Sequence, residues 1–201
     1  MDWLLYENEA KSNGFVSVCG VDEAGRGPLA GPVYAAAVVL YDGQIIEGVN
    51  DSKKLSEKKR EELFDKIISE CKDYSIGIAD QKEIDEINIL QATFLAMKRA
   101  VNGLKEPPQL AIVDGNRAPD LGNTQALTVV KGDSKSMSVA AASILAKVSR
   151  DRYMLEMAEK FPEYQFEKHK GYGTKLHYEM IEKYGICEIH RKTFLKKVLN
   201  K

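Results

Sequence analysis

A chain of 201 residues, 44% of them hydrophobic, is long enough for one sizeable core and short for two. A net charge of -1 excludes a uniformly basic nucleic-acid binder, and three cysteines without C-x-x-C spacing exclude a disulfide framework or a zinc knuckle. The longest apolar run, Val33 to Tyr41, is about half a membrane span, and the acidic start MDWLLYENEA lacks a signal peptide's basic flank, so a soluble cytoplasmic protein is expected.

In chain order, Val16 to Val21, Val33 to Tyr41 and Ile45 to Val49 read as three early strands separated by Gly and Pro, which suggests an antiparallel meander. Ser56 caps a helix whose apolar positions are Leu63, Phe64, Ile67, Ile68 and Cys71. A strand near Tyr74 to Ala79 follows, then a longer helix with the face Ile84, Ile87, Leu90, Phe94, Met97 and Val101, ended by Gly103. LAIVDGN reads as a buried strand ending in a turn, and Gln125 to Val130 as another strand. Ser134 to Lys160 is helix-prone up to Pro162, and two shorter helices are expected near Thr174 to Tyr184 and His190 to Leu199. Strands that cluster first and alternate with helices later imply an α/β fold with a mixed sheet flanked by helices. The expected organisation is one catalytic domain, a core over about 1–160 with a C-terminal helical segment over about 161–201 packed on it.

The charge is unevenly placed. Residues 168–201 carry nine Lys/Arg against three Glu, together with all three histidines, so this end is suited to a polyanion. A second cluster, Lys53, Lys54, Lys58, Lys59 and Arg60, is diluted by glutamates and reads equally as a solvated helix face.

The segment GVDEAGRGPLAGP, Gly20 to Pro32, begins like a phosphate loop but has Arg26-Gly27 where Lys-Ser/Thr must stand, and carries Asp22 and Glu23 inside it. Carboxylates beside a polyanion repel it unless a cation lies between, and a divalent metal held by oxygen ligands is the usual mediator. Asp114 ends LAIVD and Asp133 sits in VVKGDS, both where strands end and helices begin. Asp114-Gly115 is also a common turn pair, and Asp133 reads equally as an N-cap. Neighbouring strand residues point to opposite faces, so Asp22 and Glu23 share a site only if the backbone leaves the regular pleat, which Gly25 and Gly27 permit. Four clustered carboxylates raise one another's pKa, whereas two divalent cations stabilise them ionised. That arrangement suits phosphodiester hydrolysis by two metals.

GVDEAGRGPLAGP, NDSKKLS, IDEINIL, IVDGN, VVKGDS, AASILAKVSRD and HKGYGT, in this order and spacing, resemble bacterial ribonuclease HII, the type 2 ribonuclease H, from about Cys19 to Arg191. The resemblance implies a ribonuclease H-like fold and endonucleolytic cleavage of RNA in RNA/DNA hybrids, including single ribonucleotides in duplex DNA, leaving 3′-hydroxyl and 5′-phosphate ends. It implies Mg2+ or Mn2+, two ions during catalysis, held by the catalytic tetrad Asp22, Glu23, Asp114 and Asp133. By the same resemblance Gly25, Arg26 and Gly27 contact the ribonucleotide and its 2′-hydroxyl, and Tyr172 lies against the sugar on the DNA side of the junction. Lys53, Ser143 and Lys147 match phosphate-side contacts by position, Ser143 and Lys147 sharing a helix face, although a packed helix with a solvated Lys147 reads equally well. His169 is a possible phosphate neighbour. A monomer is the default, with no protein partner indicated. Ribonuclease HIII or another nuclease of the same fold, and a non-catalytic hybrid-binding protein, are the alternatives; ribonuclease HIII typically has Lys in place of Arg26 and a Glu for the last Asp, and a binding protein has no use for a complete tetrad.

Overall fold

The structure, a computed structural model, describes residues 2–196. Five strands form one mixed sheet in the order β3-β2-β1-β4-β5. The strands β1 (Val18–Ala24), β2 (Val33–Val39) and β3 (Asp73–Ala79) are successively antiparallel, while β4 (Leu110–Asp114) and β5 (Gln125–Val129) run parallel to β1 on its other side. The sequence of β2, VYAAAVV, is buried at every position, as a strand covered on both faces must be. The early antiparallel meander is therefore present, but its third strand is β3 and not Ile45 to Val49. In that stretch Gly43 and Gly48 take positive φ and the chain turns, so Ile46 and Val49 are buried from a loop while Ile45 stays exposed.

Helices cover both faces. On one lies α3 (Gln81–Asn102), started by a capping box between Asp80 and Glu83 and kinked at Asn88, whose φ is 68°. The Asn88 side chain accepts from the N–H groups of Leu90 and Gln91, restarting the helix. On the other lie α2 (Glu57–Glu70), capped as expected by Ser56, and α4 (Met137–Lys160), capped by Ser136. Cys19, Val21, Ala35 and Ala37 pack toward α3, whereas Ala36 and Val38 pack toward α2 and α4, the alternation a pleated strand imposes. Two glycines permit close approach: a Cβ on Gly20 would lie 2.2 Å from the Ser138 carbonyl carbon, and one on Gly77 would lie 2.1 Å from the Ala96 oxygen.

A helix not foreseen from the sequence, α1 (Leu5–Ser12), places Glu7 where its carboxylate accepts from Ser136, Ser138 and the start of α4. At the other end, α5 (Phe166–His169) and α6 (Lys175–Tyr184, capped by Thr174) share a cluster with Leu29, Ala30, Met154, Ile189 and Leu195. Where a helix is expected over His190 to Leu199, the described part holds a 3-10 turn, Lys192–Phe194, and the rest of that stretch, from residue 197, lies outside the described residues. Here the Asp85 carboxylate accepts from the N–H groups of Lys192 and Thr193 and from the Thr193 hydroxyl, ties that hold this turn to α3. Among the described residues no helix is long and apolar enough to cross a membrane.

Candidate active site

The adjacent C-terminal ends of β1 and β4 bring the carboxylates together. Val21 pairs with Val113, so Asp22 and Asp114 come next on neighbouring parallel strands. The turn after β5 delivers Asp133: it lies in a 3-10 turn, Gly132–Ser134, and Ser136 caps α4 instead, so Asp133 is not an N-cap. Asp114 accepts a 2.6 Å hydrogen bond from the Gly132 N–H, which fixes that turn against the strand end.

Regular pairing continues through Ala24, and the backbone leaves the pleat only at Gly25, where φ is 98°. The departure expected between Asp22 and Glu23 thus comes after them. By strand alternation Asp22 faces α4, with Asp133, and Glu23 faces α3. Glu23 borders a cavity of about 310 Å3 shared with Arg26, Phe94, Asp114, Asn116 and Arg117. A larger cleft, about 540 Å3, lies beside α1 at the opposite strand ends and holds none of the four carboxylates.

Burial, then the charges of Glu23, Asp114 and Asp133, hold the Asp22 carboxyl well above the usual carboxylate range. Among the described residues its one protein hydrogen bond comes from the Glu23 N–H, 2.7 Å. Burial also raises Glu23, against the lowering effect of Arg26, whose guanidinium stands 3.3 Å from it. Asp114 is raised by burial, partly offset by the Gly132 N–H. The Lys53 ammonium donates to Asp133 at 3.0 Å; burial would lower the Lys53 pKa, but Asp133, Asp22 and Asp51 raise it above its ordinary value. The cluster thus attracts cations. Its donors are all carboxylate oxygens, the set suited to hard divalent ions. Among the described residues no three His, Cys, Asp or Glu side chains are grouped closely enough to enclose an ion.

Ser143 is buried and shares a 2.7 Å hydrogen bond with Ser52, joining α4 to the turn that carries Lys53. Lys147 is 2.7 Å from Asp151 on its own helix. Tyr172 is 44% exposed, and a Cβ on Gly27 would lie 3.7 Å from its ring, so the Gly25-Arg26-Gly27 turn and Tyr172 form one surface although far apart in sequence. His169 is no surface contact: Nε2 donates to the Tyr164 carbonyl and Nδ1 accepts from the Gly171 N–H. Two residues that sequence reasoning missed, Arg150 and Arg191, lie buried beneath this surface; in sequence each reads as an ordinary basic residue among polar neighbours.

The model of the ribonuclease HII family matches residues 19–197. A ribonuclease HII from Caldicellulosiruptor bescii is 60% identical over 199 residues, covering 99% of this chain and 96% of that protein. The ribonuclease H2 of Pyrococcus horikoshii OT3 superposes with a TM-score of 0.73 at 33% identity, covering 89% of this chain and 93% of that one. RNase HII in the PCNA:RNase HII complex of Archaeoglobus fulgidus gives a TM-score of 0.75 at 28% identity, covering 88% and 94%.

Proposed function

The chain belongs to the ribonuclease HII family and is a ribonuclease H endonuclease, and from that premise we propose that Asp22, Glu23, Asp114 and Asp133 are its catalytic, metal-holding residues. The observation carrying this is geometric: the adjacent ends of the parallel strands β1 and β4 and the turn after β5 set Asp22, Glu23, Asp114 and Asp133 at one edge of the sheet, where burial and then the neighbouring charges hold the Asp22 carboxyl above its usual range. No fold stability is gained by gathering such charges, so their use is to hold cations. Mg2+ or Mn2+ fits the oxygen donors. When bound, such ions supply Lewis-acid activation of water and neutralise charge developing on the phosphate.

The remaining steps belong to the protein's own groups. The exposed Arg26-Gly27 backbone approaches a ribose closely because Gly27 has no side chain, and a 2′-hydroxyl there distinguishes RNA from DNA. Tyr172, beside Gly27, packs on the following sugar and sets the strand's register. Lys53 holds Asp133 and offers its ammonium to the phosphate, while Ser143 positions the Lys53 turn from below. The substrates are RNA/DNA hybrids and duplex DNA containing ribonucleotides, cut 5′ to the last ribonucleotide before DNA, leaving 3′-hydroxyl and 5′-phosphate ends. The ribonuclease HIII alternative is disfavoured by Arg26 and Asp133 themselves.

The test is incubation with Mg2+ and a duplex holding one ribonucleotide. Wild type should cut once, 5′ of that residue, and Asp133→Asn should lose at least roughly 100-fold in rate, as expected for losing a metal ligand's charge, with substrate affinity kept. Full metal-dependent cleavage by folded Asp133→Asn would refute the tetrad.

A further inference from the structure

Arg150 and Arg191 are 1% and 0% exposed. Neither forms an ion pair among the described residues. Burying a cation without a counter-charge is costly, and an apolar side chain of similar volume would serve packing better. Their acceptors explain why they are present. Arg191 donates from Nη2 to the Gly25 carbonyl at 2.6 Å, from Nη1 to Arg26 at 2.9 Å and from Nε to Gly31 at 2.8 Å. Arg150 donates from Nε to Pro32 at 3.2 Å and from Nη2 to Ala30 at 3.2 Å and Lys170 at 3.1 Å. Every acceptor is a backbone carbonyl, five in the loop after β1 and one two residues before Tyr172.

The Arg150 guanidinium lies at the join between the loops, while that of Arg191 serves the loop after β1 alone. Arg150 sits 5.8 Å from the Tyr172 ring centroid, and a Cβ on Gly25 would fall 2.2 Å from Arg150 Nε. The Leu29 N–H donates to the Gly171 carbonyl at 2.8 Å, and the Arg191 N–H to the Leu29 carbonyl at 2.9 Å. With its carbonyls drawn inward, the turn leaves the N–H groups of Arg26 and Gly27 without a protein acceptor among the described residues. Those are the donors a ribose would meet.

We propose that Arg150 and Arg191 are positioning residues that lock the Gly25–Pro32 loop and the Tyr172 loop into a single unit, so that reading the ribose and reading the next sugar are energetically coupled. This rests on the sugar-contacting roles proposed for the turn and for Tyr172. A planar fork with five donors on fixed vectors holds several carbonyls at once, which an ammonium does not. Arg191→Lys therefore keeps the charge and loosens the turn.

The test is a double-mutant cycle of Arg191→Lys and Tyr172→Ala on the single-ribonucleotide duplex, read as single-turnover rate, with affinity measured separately without divalent ion. Arg191→Lys alone should slow cleavage roughly 30-fold, the order expected for misplacing a reacting group by under 1 Å, and change affinity less than about 3-fold. In the Tyr172→Ala background the same change should cost less than about 3-fold, because the coupled partner is already gone. Arg150→Lys should behave alike and serves if Arg191→Lys does not fold. Ile181→Ala, in the same apolar cluster but making none of these hydrogen bonds, controls for lost stability and should leave the rate unchanged. Multiplicative losses in the cycle, or an equal slowing by Ile181→Ala, would overturn the coupling. Wild-type rates for Tyr172→Ala alone would instead overturn the sugar-contacting role on which it rests.

Discussion

At the scale of residues, burial and like charges make an ionised Asp22 costly. It is 4% exposed, receives one hydrogen bond, and is ringed by like charges, so its ionised form opposes folding when no divalent ion is present. Asp22→Asn should therefore abolish cleavage yet stabilise the metal-free protein by roughly 1 kcal/mol, about 3 °C at this chain length. Adding Mg2+ should raise the melting temperature of wild type, since binding favours the folded state, and leave the variant nearly unmoved. A melting temperature that falls in EDTA on making Asp22→Asn would show that the carboxylate is stabilising and the cluster misread. Asp22 and Glu23 were legible in sequence because two acids are poor strand formers after an apolar run. Asp114 and Asp133 were ambiguous, since turn and cap chemistry use the same residue. Arg150 and Arg191 were illegible for a different reason: a buried guanidinium serving carbonyls leaves no pattern, because its partners are backbone atoms common to every residue.

At the scale of elements, the sheet's two faces are set by how closely helices approach it. Gly77 lets β3 touch α3, and Gly20 lets β1 touch α4 two residues before Asp22. Both Gly77→Ala and Gly20→Ala force backbone apart and should cost roughly 3 kcal/mol, the upper range for overpacking. They should differ in function. Gly20→Ala shifts β1 against the element that follows Asp133, so its residual folded fraction should cleave slowly, whereas Gly77→Ala lies on the far strand and should retain wild-type turnover per folded molecule. Equal turnover for the two in single-turnover assays corrected for folded fraction would mean that the β1–α4 spacing does not set the site. Long elements with strong periodicity, such as α2, α3 and β2, were readable because burial repeats along them. Ile45 to Val49 was misread because a short apolar stretch buries equally well from a loop, and α1 was missed because its contribution is a side-chain contact, Glu7 on α4, that no local pattern announces.

At the scale of the whole molecule, the histidines decide how the C-terminal segment stays attached. The Cys187 N–H donates to His190 Nδ1, so His190 Nε2 carries the proton and donates at 3.0 Å to His177 Nε2; His177 Nδ1 in turn donates to the Tyr172 carbonyl. His169 stacks on His177 with ring centroids 4.4 Å apart, and Phe166 packs edge-on to both. The nearest charged side chains, Glu167 and Lys170, offset one another at His169. The chain needs all three imidazoles neutral, and burial accordingly pushes His177 and His190 down to about 4. The unfolded chain takes up these protons near pH 6.5 and the folded one does not, so the stabilisation is complete above pH 6.5 and is lost as pH falls toward 4. Asp22 acts in the opposite sense, since a raised carboxyl gains protons on folding. The measurement is therefore denaturant unfolding of Asp22→Asn in EDTA at pH 7.5 and pH 5.0. Stability should drop by a few kcal/mol, each unit of pKa displacement being worth about 1.4 kcal/mol, and the loss should shrink when His177→Gln removes the middle of the chain. Stability unchanged between the two pH values would mean that the histidines accept protons in place, and that the segment carrying Tyr172 is held by the apolar cluster alone.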